Sequence, residues 1–221
     1  MIKQIAEYKI LLIIILLTMI SCNSSDKYHK RGMTKFSQKE YSSAIEYFNK
    51  AIALKPDNLK VYYDMGVTKL FKGDVKGAKS DFNKIIEFLP NPNNVEEYLL
   101  RAKAKGELED NKGALEDINK ALELDPKNRV AYFDRAFVRQ YLRDFDGALD
   151  DFDEIIKINP QDSASSDAYM IKAGLECNLG RRKKALEDFI MAEKLGHKGL
   201  REDIESIKAN KNMCTSMRYL D

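Results

Sequence analysis

The chain has 221 residues, of which 33% are charged, with 37 basic residues against 35 acidic ones. A net charge of +2, with no basic stripe along the chain, excludes the class of strongly basic proteins that bind nucleic acid through its phosphates. Charges of both signs that alternate in this way are typical of a solvated helical surface.

The first segment, residues 1–21, differs from everything that follows. Lys3 and Lys9 stand near its start, and Ile10–Ile20 is then apolar except for Thr18. A helix of that length spans about 16 Å, whereas the hydrocarbon of a bilayer is about 30 Å thick. The pattern therefore favours a secretory signal peptide over a membrane-spanning helix.

The segment ends in a serine directly followed by Cys22, which resembles the processing site of bacterial lipoproteins. The resemblance implies that Cys22 becomes the lipidated N-terminus, that the membrane is a partner through this lipid anchor, and that residues 22–24 form a short tether. Asn23, rather than an aspartate, after the cysteine implies the outer membrane, with the protein facing the periplasm. The alternative is an ordinary apolar leader with an incidental cysteine.

The rest of the chain repeats one pattern. Four near-copies end in proline and a fifth, weaker copy does not; they are Ser43–Pro56, Gly77–Pro90, Gly113–Pro126, Gly147–Pro160 and Lys184–His197. Apolar residues recur within each copy at helical spacing, and proline cannot continue a helix. The pattern predicts an amphipathic helix that recurs about every 34 residues.

A second helix is predicted upstream of each copy. Each begins with a tyrosine and carries a small residue four positions later, as in Tyr62 and Gly66 or Tyr132 and Ala136. Residues four apart share a helix face, and a ring beside a small residue allows the next helix to pack closely. Turn residues separate the two helices, so each unit is predicted to be a helix–turn–helix hairpin.

These aromatic, small, alanine and proline positions resemble the tetratricopeptide repeat. The resemblance implies an all-α fold, a right-handed superhelical solenoid of five helix–turn–helix units with a C-terminal capping helix. The units are expected at residues 25–58, 59–92, 95–128, 129–162 and 166–199, with the cap at 200–209 and a loose tail at 210–221.

No constellation of catalytic or metal-binding residues stands out. His29 and His197 lie in the first and last units, too far apart to share a zinc ion. The acidic run from Asp144 to Glu154 misses the spacing of a calcium-binding loop, and its members fit a solvated helix face. We therefore predict no enzyme activity, no metal and no cofactor. Cys177 and Cys214 either pair or remain free.

The resemblance also implies where a ligand binds, because the first helix of each unit lines the concave groove in this family. The groove candidates are Tyr63, Val67, Phe71, Leu99, Lys103, Phe133, Phe137, Tyr141 and Met170. Exposed aromatic residues four apart are costly unless they bind something. The alternative is that these side chains pack against the neighbouring helices.

The function expected from these features is that of a non-catalytic, lipid-anchored scaffold in the bacterial envelope, with a protein or peptide partner in the groove. An envelope chaperone for unfolded or secreted substrates and an adaptor that recruits cell-wall enzymes are the alternatives. A further alternative is an enzyme whose active site is not recognised in the sequence.

Overall fold

The computed structural model describes residues 24–209, which contain eleven helices and no strand, so the predicted all-α class is confirmed. Helix α1 covers residues 24–37. The others are α2 (Tyr41–Leu54), α3 (Leu59–Lys72), α4 (Val75–Phe88), α5 (Val95–Glu107), α6 (Asn111–Leu124), α7 (Arg129–Tyr141), α8 (Phe145–Ile158), α9 (Ser163–Asn178), α10 (Arg182–Lys194) and α11 (Arg201–Lys208).

Local signals set the ends of these helices. Each recurring proline stands two residues beyond the last residue of its helix, as Pro56 does after α2 and Pro126 after α6. At the other end, Asp74 and Asp144 accept a hydrogen bond from the backbone N–H three residues later, at 2.9 and 3.1 Å. A carboxylate in this position satisfies an N–H that has no partner within the helix.

The two places where the 34-residue period lengthens have different structural outcomes. The two extra residues before the third unit lie in the loop between α4 and α5. The three extra residues before the fifth unit instead extend α9, which has 16 residues. Asp162 caps this longer helix by accepting a hydrogen bond from the Ser165 N–H at 3.0 Å. The helix therefore begins three residues before Ser166, the predicted start of the fifth unit.

The helices group into two compact bodies. The N-terminal body contains the described residues up to Asn93 together with Leu100–Asp110, and the C-terminal body contains Asn94–Leu99 together with the described residues from Asn111 onward.

In the N-terminal body the core is built from a phenylalanine packed on a glycine. Phe48 and Phe82 are fully buried. A Cβ atom added to Gly32 would lie 2.5 Å from the Phe48 ring, and one added to Gly66 would lie 2.6 Å from the Phe82 ring. Hydrogen is therefore the only side chain that fits between these helices. The ring that requires it comes from the second helix of the hairpin, not from the tyrosine of the same helix.

In the C-terminal body alanine takes the place of glycine. Ala136 and Phe152 share one buried cluster, and Ala173 and Phe189 share the next. The last cluster also receives Leu200 and Ile204, which are 2% and 4% exposed. The predicted capping helix is therefore present as α11, and its apolar face completes the core.

The predicted signal peptide (1–21), Cys22 and the predicted tail (210–221) lie outside the described residues. Within residues 24–209, none of the helices is long and apolar enough to cross a bilayer.

Candidate functional site

Two helices carry most of the predicted groove residues at a spacing of four, so each set lies along one helix face. On both helices the side chains become more exposed toward the C-terminal end. The set on α3 is Tyr63, Val67 and Phe71, and the set on α7 is Phe133, Phe137 and Tyr141.

On α3 the first two candidates belong to the core and the third does not. The Tyr63 ring lies 5.7 Å from the Phe82 ring, and its hydroxyl donates to the Glu107 carboxylate at 3.2 Å. Val67 packs against the same buried cluster. Phe71, in contrast, is 63% exposed. Tyr63 and Val67 therefore stabilise the hairpin, while Phe71 is accessible to a ligand.

Phe71 does not stand alone, because two further rings surround it. It lies 5.4 Å edge-on from Phe36 and 5.9 Å from the nearly parallel ring of Tyr41, and Phe36 and Tyr41 are 5.8 Å apart. We call these three residues the aromatic triad. Sequence reasoning missed Phe36 and Tyr41; the signal that could have found them is a pair of aromatic residues flanking the turn between α1 and α2.

The α7 set shows the same gradient. The Phe133 and Phe137 rings both meet the buried Phe152 ring edge-on, at 5.9 and 6.5 Å. Phe137 is nevertheless 38% exposed, and Tyr141 is 78% exposed. The end of α7 thus presents a large aromatic surface that the protein's own core does not cover.

The remaining candidates are less accessible. Leu99 is only 9% exposed. Lys103 is half-buried, and so is Met170, which packs against the cluster around Phe189. That all nine residues line one groove stays a prediction, because the structure describes them in two separate bodies.

Ion pairs between the two helices of a hairpin were not predicted from the sequence. Lys69 on α3 binds the buried carboxylate of Asp81 on α4 at 2.6 Å. On α7, Arg135 and Arg139 bind Asp151 of α8 at 2.7 and 2.8 Å. Burial raises the pKa of Asp81 and of Asp151, although the bonds to their basic partners oppose this effect. These pairs satisfy buried charges and hold the hairpin helices in register.

Histidine, cysteine and carboxylate side chains are the usual ligands of metal ions, and cysteines can also form disulfides. Among residues 24–209, no group of three such side chains is arranged to hold a metal ion. Cys177 is disulfide-bonded. The two other cysteines of the chain, Cys22 and Cys214, lie outside the described range.

Comparison with protein families gives two matches along the chain. Residues 25–58 and residues 97–128 each match a family model described as the tetratricopeptide repeat. These two stretches are tetratricopeptide repeats.

Solved structures with these repeats share the fold. A thermophilic TPR protein of Thermus thermophilus superposes with a TM-score of 0.61 and 20% identity, over 84% of this chain and 99% of that one. PilF of Pseudomonas aeruginosa superposes with a TM-score of 0.63 and 14% identity, over 87% of this chain and 86% of that one. YrrB, described as a TPR protein with an unusual peptide-binding site, gives a TM-score of 0.50 and 22% identity, over 84% and 91% of the two chains.

Curated relatives match in part of their length. A TPR repeat-containing protein of Methanocaldococcus jannaschii is 27% identical over 107 residues, which are 46% of this chain and 18% of the relative. DnaJ homolog subfamily C member 7 of Mus musculus is 26% identical over 107 residues, which are 48% of this chain and 21% of the relative. The matched stretch is thus about one fifth of either relative.

Tetratricopeptide repeats generally bind protein or peptide partners on the surfaces that their stacked helices present. In this chain the exposed aromatic side chains are concentrated on the first helices of repeats 2 and 4, at Phe71, Phe137 and Tyr141. The aromatic triad in the N-terminal body and the pair Phe137 and Tyr141 in the C-terminal body are therefore two separate candidate surfaces for partner binding.

Proposed function

We propose that the protein is a non-catalytic scaffold of the bacterial cell envelope, anchored by a lipid on Cys22, that binds a partner peptide or helix through its exposed aromatic residues. The observation that carries the proposal is the exposure of Phe71, Phe137 and Tyr141 at 63%, 38% and 78%. Large apolar rings exposed to water mark interaction sites, and aromatic anchors contribute most to binding energy at interfaces.

The spacing of the exposed aromatic residues on α7, Phe137 and Tyr141, favours an extended peptide or a single helix as the ligand. On α7, Phe137 and Tyr141 stand one helical turn apart, a spacing that matches anchors on a partner helix or alternate residues of an extended chain. The buried Phe152 ring backs Phe137 at 6.5 Å, so this anchor is held by packing before a ligand arrives. Preorganisation of this kind lowers the entropic cost of binding.

The envelope location is supported by the N-terminal sequence. Residues 1–21 have the features of a signal peptide, and Cys22 follows at the expected processing position. The chain is already helical at residue 24, so a lipid on Cys22 would hold α1 close to the membrane surface. A lipid chain contributes about 0.8 kcal/mol of membrane affinity for each buried methylene group.

Crosslinking in intact cells, followed by mass spectrometry, tests the binding surface. The variant is Phe137→Ala with Tyr141→Ala; Phe133 is left in place because its ring packs on Phe152. The matched control is Phe88→Ala with Leu124→Ala, which removes side chains that are 51% and 55% exposed but lie on second helices. Phe71→Ala tests the aromatic triad separately.

We expect one stoichiometric partner to crosslink with the wild-type protein and with the control, and to be lost from the Phe137→Ala, Tyr141→Ala variant at equal abundance. A partner that crosslinks equally well with that variant would overturn the assignment of the surface. If the wild-type protein instead crosslinks with a broad set of weakly bound proteins, and all of them are lost from the variant, the protein is a chaperone and not a scaffold.

A further inference from the structure

The fifth repeat departs from the others at one buried position. Three residues after the small residue of the first helix, repeats 2, 3 and 4 carry the bases Lys69, Lys105 and Arg139. Lys69 and Arg139 bind the buried aspartate of the second helix at 2.6 and 2.8 Å. Repeat 5 has Glu176 at this position, so a carboxylate stands where the other repeats supply a cation.

The aspartate that this cation would bind is still present. Asp188 on α10 corresponds to Asp81 and Asp151, and it is 8% exposed, while Glu176 on α9 is 2% exposed. Repeat 5 therefore has two buried carboxylates where repeats 2 and 4 have a base and a carboxylate. One oxygen of each, Oε2 of Glu176 and Oδ2 of Asp188, accepts no hydrogen bond from residues 24–209.

Neighbouring bases balance this charge only in part. Lys172 donates to Asp153 at 2.6 Å and stands 3.6 Å from Asp188. Lys184 approaches Glu176 only to 4.0 Å, and its own side chain is 67% exposed. A buried carboxylate without a close counter-ion is costly, so the pair attracts a further cation.

A solvent-accessible pocket leads to these carboxylates. Its volume is about 320 Å³, and it lies between α8, α9 and α10 within the C-terminal body. That volume is at the small end of the range of ligand pockets, roughly 300–1,000 Å³. Six acidic and three basic side chains line it: Asp146, Asp150, Asp153, Glu176, Glu187, Asp188, Lys172, Arg181 and Lys184.

The donor set distinguishes between kinds of cation. Calcium requires six to eight oxygen ligands, and no three carboxylates in the described chain converge to hold a metal ion. An ammonium or guanidinium group instead donates separate hydrogen bonds to carboxylates, as Lys69 and Arg139 do in the other repeats. We propose that this pocket binds the ammonium or guanidinium group of a basic side chain, with Glu176 and Asp188 as its counter-ions.

The basic side chain restores the ion pair that repeats 2 and 4 make between their own two helices. It displaces Lys184, whose exposed side chain is free to swing outward. The site is independent of the aromatic surface, so failure of either assignment leaves the other in place. The group can come from a partner protein or from this chain's own Lys211 and Arg218, which lie outside the described residues.

The test is a protein-observed NMR titration of the full chain in a mild detergent. The probe is N-acetyl-lysine N-methylamide, and matched sodium chloride and the neutral analogue N-acetyl-norleucine N-methylamide serve as blanks. We expect saturable shifts of α8, α9 and α10 resonances with the lysine probe only. Shifts that stay linear with concentration, or that the neutral analogue reproduces, would overturn the proposal.

Variants test the named counter-ions. Glu176→Lys restores the base of repeats 2 to 4, so it is expected to fold and to weaken probe binding at least 10-fold. Glu187→Lys makes the same change of charge at an exposed position on the pocket wall and is expected to change the affinity less than 3-fold. Equal losses of affinity in both variants would mean that the acidic surface attracts the probe in general, and this would overturn the assignment of Glu176. Tighter, saturable binding of calcium that shifts the same resonances would make the pocket a metal site instead.

A double variant, Lys211→Gln with Arg218→Gln, identifies the source of the cation. If the chain's own tail occupies the pocket, this variant binds the probe more tightly than the wild-type protein does. If a partner supplies the group, the probe affinity is unchanged and the partner's crosslink is lost in Glu176→Lys.

Discussion

The buried aspartates show how strongly the electrostatic environment of a side chain depends on its ion-pair partner. Asp81 and Asp151 are 2% and 1% exposed, and each lies within 2.8 Å of a basic nitrogen from the first helix of its hairpin. Asp188 occupies the same position but lies 3.6 Å from its nearest base. The aspartate is the same in the three repeats, but the charged residues beside it differ. Lys69 binds Asp81, and Arg135 and Arg139 both bind Asp151. In the described part of the chain Asp188 has only the more distant Lys172, and Glu176 stands in place of the second base.

The pKa of Asp188 is raised to about 6, first by burial, with further contributions from Asp153 and Glu176 and an opposing one from Lys172. A raised pKa in the folded state means that the proton stabilises the fold at low pH. This stabilisation is fully present below the ordinary value of 3.8 and is lost as the pH rises through about 6.

Asp188→Asn should therefore raise the free energy of unfolding at pH 7.5, by on the order of 1–2 kcal/mol, and by less at pH 4, where the wild-type side chain is already neutral. Urea unfolding at the two pH values measures the difference. The exposed Asp150→Asn is the control and should change stability by less than about 0.5 kcal/mol at both pH values. A gain in stability that is the same at pH 4 and pH 7.5 would contradict the prediction.

At the scale of the helix, the hairpins of repeats 1, 2, 4 and 5 each bury one small residue and one phenylalanine. Gly66 is in a helix, where glycine is intrinsically less favourable than alanine by about 1 kcal/mol. Its retention is explained by the Phe82 ring, which leaves no space for a methyl group. The helical position of the glycine was predictable from the spacing of four after Tyr62, but the steric requirement depends on the distance between α3 and α4.

Gly66→Ala is expected to destabilise the protein by about 1–3 kcal/mol, because the added Cβ atom overlaps the Phe82 ring and the two helices must separate. Thermal unfolding of both proteins provides the measurement. Gly106→Ala in α5 is the matched control, since nothing lies within 4 Å of its added Cβ atom. The control should be neutral or stabilising by about 0.5–1 kcal/mol, and a loss of similar size in both variants would exclude the steric explanation.

At the scale of the whole molecule, the proposed function assigns separate roles to the helical hairpins and to Cys22. Each hairpin buries its apolar face only against neighbouring helices, so the repeats fold as an array and leave long surfaces for partners. In the proposed function the lipid on Cys22 places this array at the membrane, while the exposed aromatic residues and the acidic pocket of repeat 5 select what binds there.

The lipid anchor can be tested by metabolic labelling with a palmitate analogue in a bacterial host. The wild-type protein should incorporate the label and have a mature N-terminus at Cys22, and Cys22→Ala should lose the label entirely. Cys214→Ala is the control and should keep it. Label that persists in Cys22→Ala, or an intact Met1 in the wild-type protein, would refute the anchor.

The same preparation tests the disulfide of Cys177. Acylation consumes the thiol of Cys22, so Cys214 is then the cysteine left to pair with Cys177. Peptide mapping without reductant should find these two joined, and a bond between Cys177 and Cys22 would be incompatible with lipidation.

The sequence by itself determined the recurring helix–turn–helix pattern and the place where the second helices of repeats 1 to 4 stop. This was possible because helix periodicity and helix stops follow from residues close together in the chain: apolar spacing, and prolines such as Pro126 that cannot continue a helix. The predicted start of each first helix at its tyrosine was wrong, since α3 begins at Leu59 and α9 at Ser163. The 34-residue period then indicated that the same hairpin recurs.

Only the tertiary structure decided which of these residues are accessible and which charges meet. Tyr63 and Phe71 have the same spacing pattern on one helix, yet the first packs on Phe82 and the second is exposed, since burial depends on the neighbouring helices. Alignment of the repeats shows that Glu176 stands where other repeats have a base, but it does not show what that base binds. Lys69 and Arg139 meet their aspartates across two helices, which only the structure reveals. Distances between helices, which depend on how whole hairpins pack, determine both features.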